Sequence, residues 1–132
     1  MKQISIVISI FFCALMFNCK AQNDDVFTAV TPEELGVLLQ EQKEIKLIDV
    51  RTPAEFNAGH ISGAENINFL SDNFSKSLEG LDKNEPLIIY CKSGRRSGKS
   101  RAVFKELGFL KVYDLEGGIL KWKSQNFEVK TN

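Results

Sequence analysis

The segment Pro86-Leu-Ile-Ile-Tyr-Cys91-Lys-Ser-Gly-Arg-Arg96-Ser97 places a thiol at the end of a short apolar run and follows it with glycine and cations. Residues 87–90 read as a buried strand, and a helix is expected over about 97–107. Cys91 then lies between a strand end and a helix start, where backbone N–H groups and the positive end of a helix dipole favour an anion on sulfur. A free thiol, with pKa ~8.5, is mostly protonated at neutral pH, so such help is what turns it into a nucleophile. Gly94 lets the loop fold close to the sulfur without a Cβ. Lys92, Arg95, Arg96 and Lys99 add positive charge suited to an anionic substrate or a charged intermediate on sulfur. Ser93 and Ser97 complete the expected active-site loop, residues 91–97.

The elements that hold this loop alternate in type. Strands are expected at 27–30, 46–50, 64–68, 87–90 and 111–115. Helices are expected at 32–42, from 53, at 72–78, at 97–107 and at 119–126. Two helix starts carry the same signal, Thr31-Pro32 and Thr52-Pro53, with Thr as N-cap and Pro at the first position. Alternation of this kind specifies an α/β fold with a mainly parallel central sheet of about five strands and helices on both faces. Ligands of such folds sit beyond the carboxyl ends of the strands, which is where Cys91 falls.

Three segments in order resemble the rhodanese (sulfurtransferase) family. They are Asp49-Val50-Arg51 with Glu55-Phe56 and Gly59-His60-Ile61-x-Gly63-Ala64-x-Asn66-Ile67; the loop Cys91-x-x-Gly94-x-Arg96-Ser97; and Leu115-x-Gly117-Gly118-Ile119-x-x-Trp122. The resemblance covers nearly all of the chain after Asp25. It implies a rhodanese-like fold over residues 26–130. It also implies that Cys91 takes a sulfane sulfur from a small anionic donor such as thiosulfate, carries it as a persulfide and passes it to a thiol or cyanide. No cofactor and no metal are expected, and a monomer is expected. The family uses the Asp and Arg of the first segment to order loops beside the site, so Asp49, Arg51, Glu55 and His60 are read as scaffold and Trp122 as core.

Loop length argues against a related chemistry. Cys-based phosphatases generally place five residues between Cys and Arg; here four separate Cys91 from Arg96, and Tyr90 stands where tyrosine phosphatases place His. Arg96 is left with two readings, a substrate oxyanion or a scaffold carboxylate. Lys92 stands where many single-domain family members carry Arg, and lysine binds as a point charge without a fork. The rivals to sulfur transfer are a binding module of the same fold and a thiol-redox protein resolved by an external partner.

The 132 residues make one domain. Lys2 followed by the apolar run 4–17 fits a signal peptide over residues 1–18, since a membrane-spanning helix needs about 20 residues. Asn18-Cys19-Lys20-Ala21-Gln22 is similar to the cleavage region of bacterial lipoproteins, with Cys19 as the lipidated first residue of the mature chain; the alternative is cleavage after Ala21. Residues 19–25 then form a tether, and the protein is exported to the bacterial cell envelope, with a membrane contact through Cys19. The other cysteine, Cys13, lies in the signal, which leaves Cys91 with no disulfide partner in the domain. Formal net charge is zero, so no broad basic field points to nucleic acid.

Overall fold

The computed structural model describes residues 25–132. The readings on Cys13, Cys19 and the segment 1–24 lie outside them. Five strands, β1 (Phe27–Val30), β2 (Lys46–Asp49), β3 (Glu65–Asn66), β4 (Leu87–Tyr90) and β5 (Val112–Leu115), form one sheet in the order β1-β5-β4-β2-β3, every pair parallel. The helices are α1 (Pro32–Glu41), α2 (Pro53–Ala58), α3 (Phe74–Leu78), α4 (Arg95–Glu106) and α5 (Gly118–Ser124). Among the described residues, no helix is long and apolar enough to cross a membrane.

β4 is central, and all four of its residues are buried. A strand covered on both faces reads as a continuous apolar run, as Leu87-Ile-Ile-Tyr90 does. Alternation along it feeds two cores. Leu87, Ile89 and Cys91 face Phe74 and Leu78 of α3 and Phe104 of α4. Ile88 and Tyr90 face Leu35 of α1 and Ile119 and Trp122 of α5. Each fully buried aliphatic side chain contributes about 1.5–3 kcal/mol, so the strand that carries Cys91 is among the best-fixed parts of the fold.

The two Thr-Pro starts are capping boxes. Thr31 Oγ1 accepts from the Glu34 N–H while Glu34 reaches back to the Thr31 N–H, and Thr52 and Glu55 repeat the arrangement at α2. Several boundaries differ from the sequence reading by one or two residues, and one of them bears on the site. α4 begins at Arg95, two residues before the expected start, so Arg95, Arg96 and Ser97 belong to its first turn and the loop proper is 91–94. Gly94, at φ +96°, is its N-cap and turns the chain at once into the helix.

Candidate active site

Parallel strands put their carboxyl ends on one edge, and Cys91 follows the central strand there. Its side chain is fully buried. The Gly94 N–H donates to Sγ at 3.1 Å, and the thiol donates to Ser97 Oγ at 3.5 Å. Ser97 Oγ in turn donates to the Gly94 carbonyl at 3.3 Å. Of the converging N–H groups expected from sequence, Gly94 is the one on the sulfur among the described residues. Ser97, which the sequence supplied only as a loop position, is a direct neighbour of the sulfur. The first turn of the twelve-residue α4 lies against it, so the positive end of a full-length helix faces the thiol.

The loop is held from behind by α5. Ile119 N–H donates to the Cys91 carbonyl at 2.9 Å and Leu120 N–H to the Lys92 carbonyl at 3.1 Å. These are helix N-terminal donors that have no partner within their own helix. The approach is so close that a Cβ on Gly118 would collide with the Lys92 carbonyl and come within 2.6 Å of the Cys91 carbonyl oxygen. Sequence reasoning missed this role of Gly118; the adjacent pair Gly117-Gly118 was the available signal.

The set Asp49, Arg51 and Glu55 divides in two. Arg51 Nε lies 3.0 and 3.1 Å from the two Asp49 carboxylate oxygens and Nη2 lies 2.6 Å from one of them, a buried ion pair. Arg51 also donates to the Gly59 carbonyl at 2.7 Å, and Asn66 Nδ2 bridges the Asp49 and Arg51 carbonyls. The guanidinium lies 5.7 Å from the Tyr90 ring centroid. Burial, reinforced by the Asp49 charge, pushes the Tyr90 phenol well above its ordinary pKa, so it stays neutral; its oxygen accepts from the Ile61 N–H at 3.1 Å. The pair therefore ties the ends of β2 and β4 to the loop before Ile61.

Glu55 instead meets Arg96. Nη1 and Nη2 each donate to one carboxylate oxygen at 2.7 Å, a bidentate pairing. Arg96 is thus paired with a scaffold carboxylate, one of the two partners read for it from the sequence. Hydrogen bonding from Arg96, with further bonds from Thr52, lowers the Glu55 pKa from 4.5 to about 2. The same pairing raises the Arg96 pKa.

His60 sits in the scaffold. Its ring stacks on Phe56 at 3.9 Å, and Nδ1 lies 3.0 Å from the Phe56 carbonyl, which can only accept. Its backbone pairs with Lys130 in both directions. None of these contacts touches the Cys91 loop. Lys92, Ser93, Arg95 and Lys99 are exposed, and among the described residues the three cations have no ion-pair partner. A half-buried pair also escaped sequence reasoning: Arg101 of α4 donates twice to Oδ2 of the buried Asp114 in β5, while Asp114 Oδ1 has no partner among the described residues.

Two clefts are notable. A cavity of about 560 Å³ opens at the amino ends of β2 and β4, between residues 41–46 and 80–87, at the opposite edge of the sheet from Cys91. A smaller one, about 200 Å³, lies between α2 and α5 beside Lys92. The smaller cleft borders Lys92, the residue after Cys91, whereas the larger lies at the far edge of the sheet. Among the described residues, no cluster of three His, Cys, Asp or Glu side chains is placed to hold a metal ion.

The chain matches the rhodanese-like domain family over residues 31–125. It is 34% identical over 102 residues to the thiosulfate sulfurtransferase GlpE of Pseudomonas aeruginosa, covering 76% of this chain and 87% of that protein. It is 36% identical over 114 residues to the probable adenylyltransferase/sulfurtransferase MoeZ of Mycobacterium tuberculosis, covering 86% of this chain but spanning only 29% of that relative's length. Among solved structures it is similar to the polysulfide-sulfur transferase homodimer of Wolinella succinogenes, with TM-score 0.66, 29% identity and 80% of each chain covered.

Proposed function

Because the chain belongs to the rhodanese-like domain family, we propose that it is a sulfurtransferase working through a persulfide on Cys91. The observation that carries this reading is the setting of Sγ at the end of the central strand, with the Gly94 N–H on it and the start of α4 beside it. Those preorganised donors suit a thiolate and equally the persulfide anion that replaces it.

The reaction has two displacements. The Cys91 thiolate attacks the outer sulfur of thiosulfate, the S–S bond breaks, and sulfite leaves with its electron pair. A nucleophile then attacks the terminal sulfur of Cys91–S–S⁻, takes it, and returns the electron pair of that S–S bond to Cys91 as thiolate. With cyanide the product is thiocyanate. Neither step calls for a metal, an organic cofactor or a general base. Thiosulfate is supported as a donor by the likeness to GlpE. The unpaired cations Lys92, Arg95 and Lys99 steer anions to the mouth, while Arg96, held by Glu55, positions the loop.

In the same reading, residues 1–18 direct export, Cys19 becomes the lipidated first residue of the mature chain, residues 19–25 tether residues 26–130, and a monomer works in the cell envelope. The apolar run 4–17 and the sequence around Cys19 support this.

A second reading, a binding or thiol-redox module without efficient turnover of small donors, draws on the complete burial of Cys91. Turnover separates the two. Thiocyanate formation from thiosulfate and cyanide, abolished in Cys91→Ser while the circular dichroism spectrum is unchanged, is the expected result. Turnover retained by Cys91→Ser overturns the mechanism.

A further inference from the structure

The larger cavity, about 560 Å³, lies at the amino edge of the sheet, remote from Cys91, and sulfur transfer gives it no role. Two connections build it. Residues 42–45 join α1 to β2, and residues 79–86 join α3 to β4. β2 and β4 are neighbours that start in register, with Lys46 opposite Leu87. Leu35 of α1 and Ile45 lie on one face of the sheet, whereas Phe74 and Leu78 of α3 and Leu81 lie on the other. The two connections therefore reach the same sheet edge from opposite faces and leave a trough between them. Half-buried Ile45, Leu81 and Pro86, with buried Leu87, give the trough an apolar floor.

Both walls of the trough are acidic. Glu41 and Glu44 line the wall from α1, and Asp82 and Glu85 line the wall from α3. Among the described residues, none of these acids has an ion-pair partner. Lys46 is engaged by Glu65, which leaves Lys43 as the unpaired lysine of the lining. The free charge of the cavity is thus negative. α1, ten residues long, ends here with no basic residue in its last turn, so the negative end of its dipole adds to the acids. Surface acids alone are ordinarily solvated and recruit nothing. These rim an apolar trough whose volume, about 560 Å³, falls within the roughly 300–1,000 Å³ of small-molecule sites.

The acids are spread along the two walls. Among the described residues, no three of them are placed to share a metal ion, and a compact inorganic cation would leave the apolar floor unused. A neutral apolar ligand would leave the acids of both walls unmatched. The complementary molecule is elongated, with cationic ends and a methylene body between them. We infer that the cavity at the amino ends of β2 and β4 binds a linear aliphatic polyamine, with ammonium groups at the acids of the two walls and the methylene chain on Ile45, Leu81 and Pro86. The polyamine makes no contact with the Cys91 loop, so this site stands or falls separately from the sulfurtransferase reading.

Binding is tested on the full chain in mild detergent with 1,6-diaminohexane as the probe, by following backbone amide resonances. The diamine should shift Ile45, Leu81 and Leu87 saturably and leave Gly94 and Ser97, at the opposite edge, in place. 1,6-Hexanediol isolates the methylene chain, and magnesium chloride at matched cationic charge isolates the charge. Neither should reproduce the saturable shifts. Glu44→Gln and Glu85→Gln each remove an acid from a different wall, and both positions are exposed, so the variants should fold. Each should weaken diamine binding about threefold to fivefold, the range of one exposed charge contact, and Glu44→Asp and Glu85→Asp should restore most of it. Diol binding as tight as the diamine, the same shifts with magnesium, shifts that miss Ile45, Leu81 and Leu87, or an affinity unchanged in both Gln variants overturns the assignment.

Discussion

Glu55 and Arg96, 41 residues apart, meet through two 2.7 Å hydrogen bonds that join the first turn of α2 to the first turn of α4. Glu55 is also the third helical residue of the α2 capping box. One carboxylate therefore fixes a helix start and the base of the Cys91 loop together.

This pairing gives an acid limb to stability. The Glu55 carboxyl titrates at about 2 in the folded protein and near 4.5 when free, so as pH falls the unfolded chain takes up the proton first. The contribution is complete above about pH 4.5 and is lost as pH drops from there through about 2. Because the side chains of Arg96 and Glu55 are 21% and 30% exposed, it should amount to about 1–2 kcal/mol. Urea unfolding across that range should show the decline in the parent protein and a flatter profile in Glu55→Gln.

Gly118→Ala should damage the site more than the fold. At φ +61° the new residue is strained, and its Cβ meets the Lys92 and Cys91 carbonyls, so the loop must move. Gly63→Ala is the control: its φ is +84°, with nothing within 4 Å of the added Cβ. Both should lose about 1–2 kcal/mol from backbone strain. Sulfur uptake should fall about tenfold or more in Gly118→Ala alone, given how steeply rates respond to small misplacements. Stopped-flow uptake beside thermal melts would check the split.

Breaking the Asp49–Arg51 pair should cost more than any surface pair. Asp49 is fully buried, and Asp49→Ala would leave the Arg51 guanidinium buried with only the Gly59 carbonyl and the Tyr90 ring. The expected loss is about 3–5 kcal/mol. Tyr90→Phe, which strands the Ile61 N–H, should cost about 1–3 kcal/mol. Chemical denaturation of both variants gives the comparison.

Much of this was legible in the sequence, because it depends on local signals. The apolar run 87–90, the Gly94 turn and the Thr-Pro starts are local patterns, and the strands and helices they predict are present with ends shifted by at most two residues. Position 94 shows the limit: glycine marks a turn, but only its αL geometry shows that α4 starts immediately afterwards. Partner choice was not legible. Asp49, Arg51, Glu55 and Arg96 could be listed as charges near a site, yet which acid takes which arginine depends on how β2, α2 and α4 pack. The close approach of Gly118 to the Cys91 loop and the burial of Asp114 in a parallel strand are likewise tertiary facts with no periodic signal.

The proposed anchor at Cys19 makes a separate prediction. Protein expressed with its first 24 residues should fractionate with membranes and carry a lipid mass on Cys19, and Cys19→Ser should move it to the soluble exported fraction. An unlipidated mature chain beginning at Gln22 would favour cleavage after Ala21 instead.

The most direct test of the central claim is intact mass spectrometry of the protein after incubation with thiosulfate, with Cys91→Ser alongside. A gain of one sulfur atom, removed by cyanide and absent from the variant, is the predicted result. The same gain in Cys91→Ser, or a parent protein that gains no sulfur from either thiosulfate or polysulfide, would contradict a persulfide on Cys91.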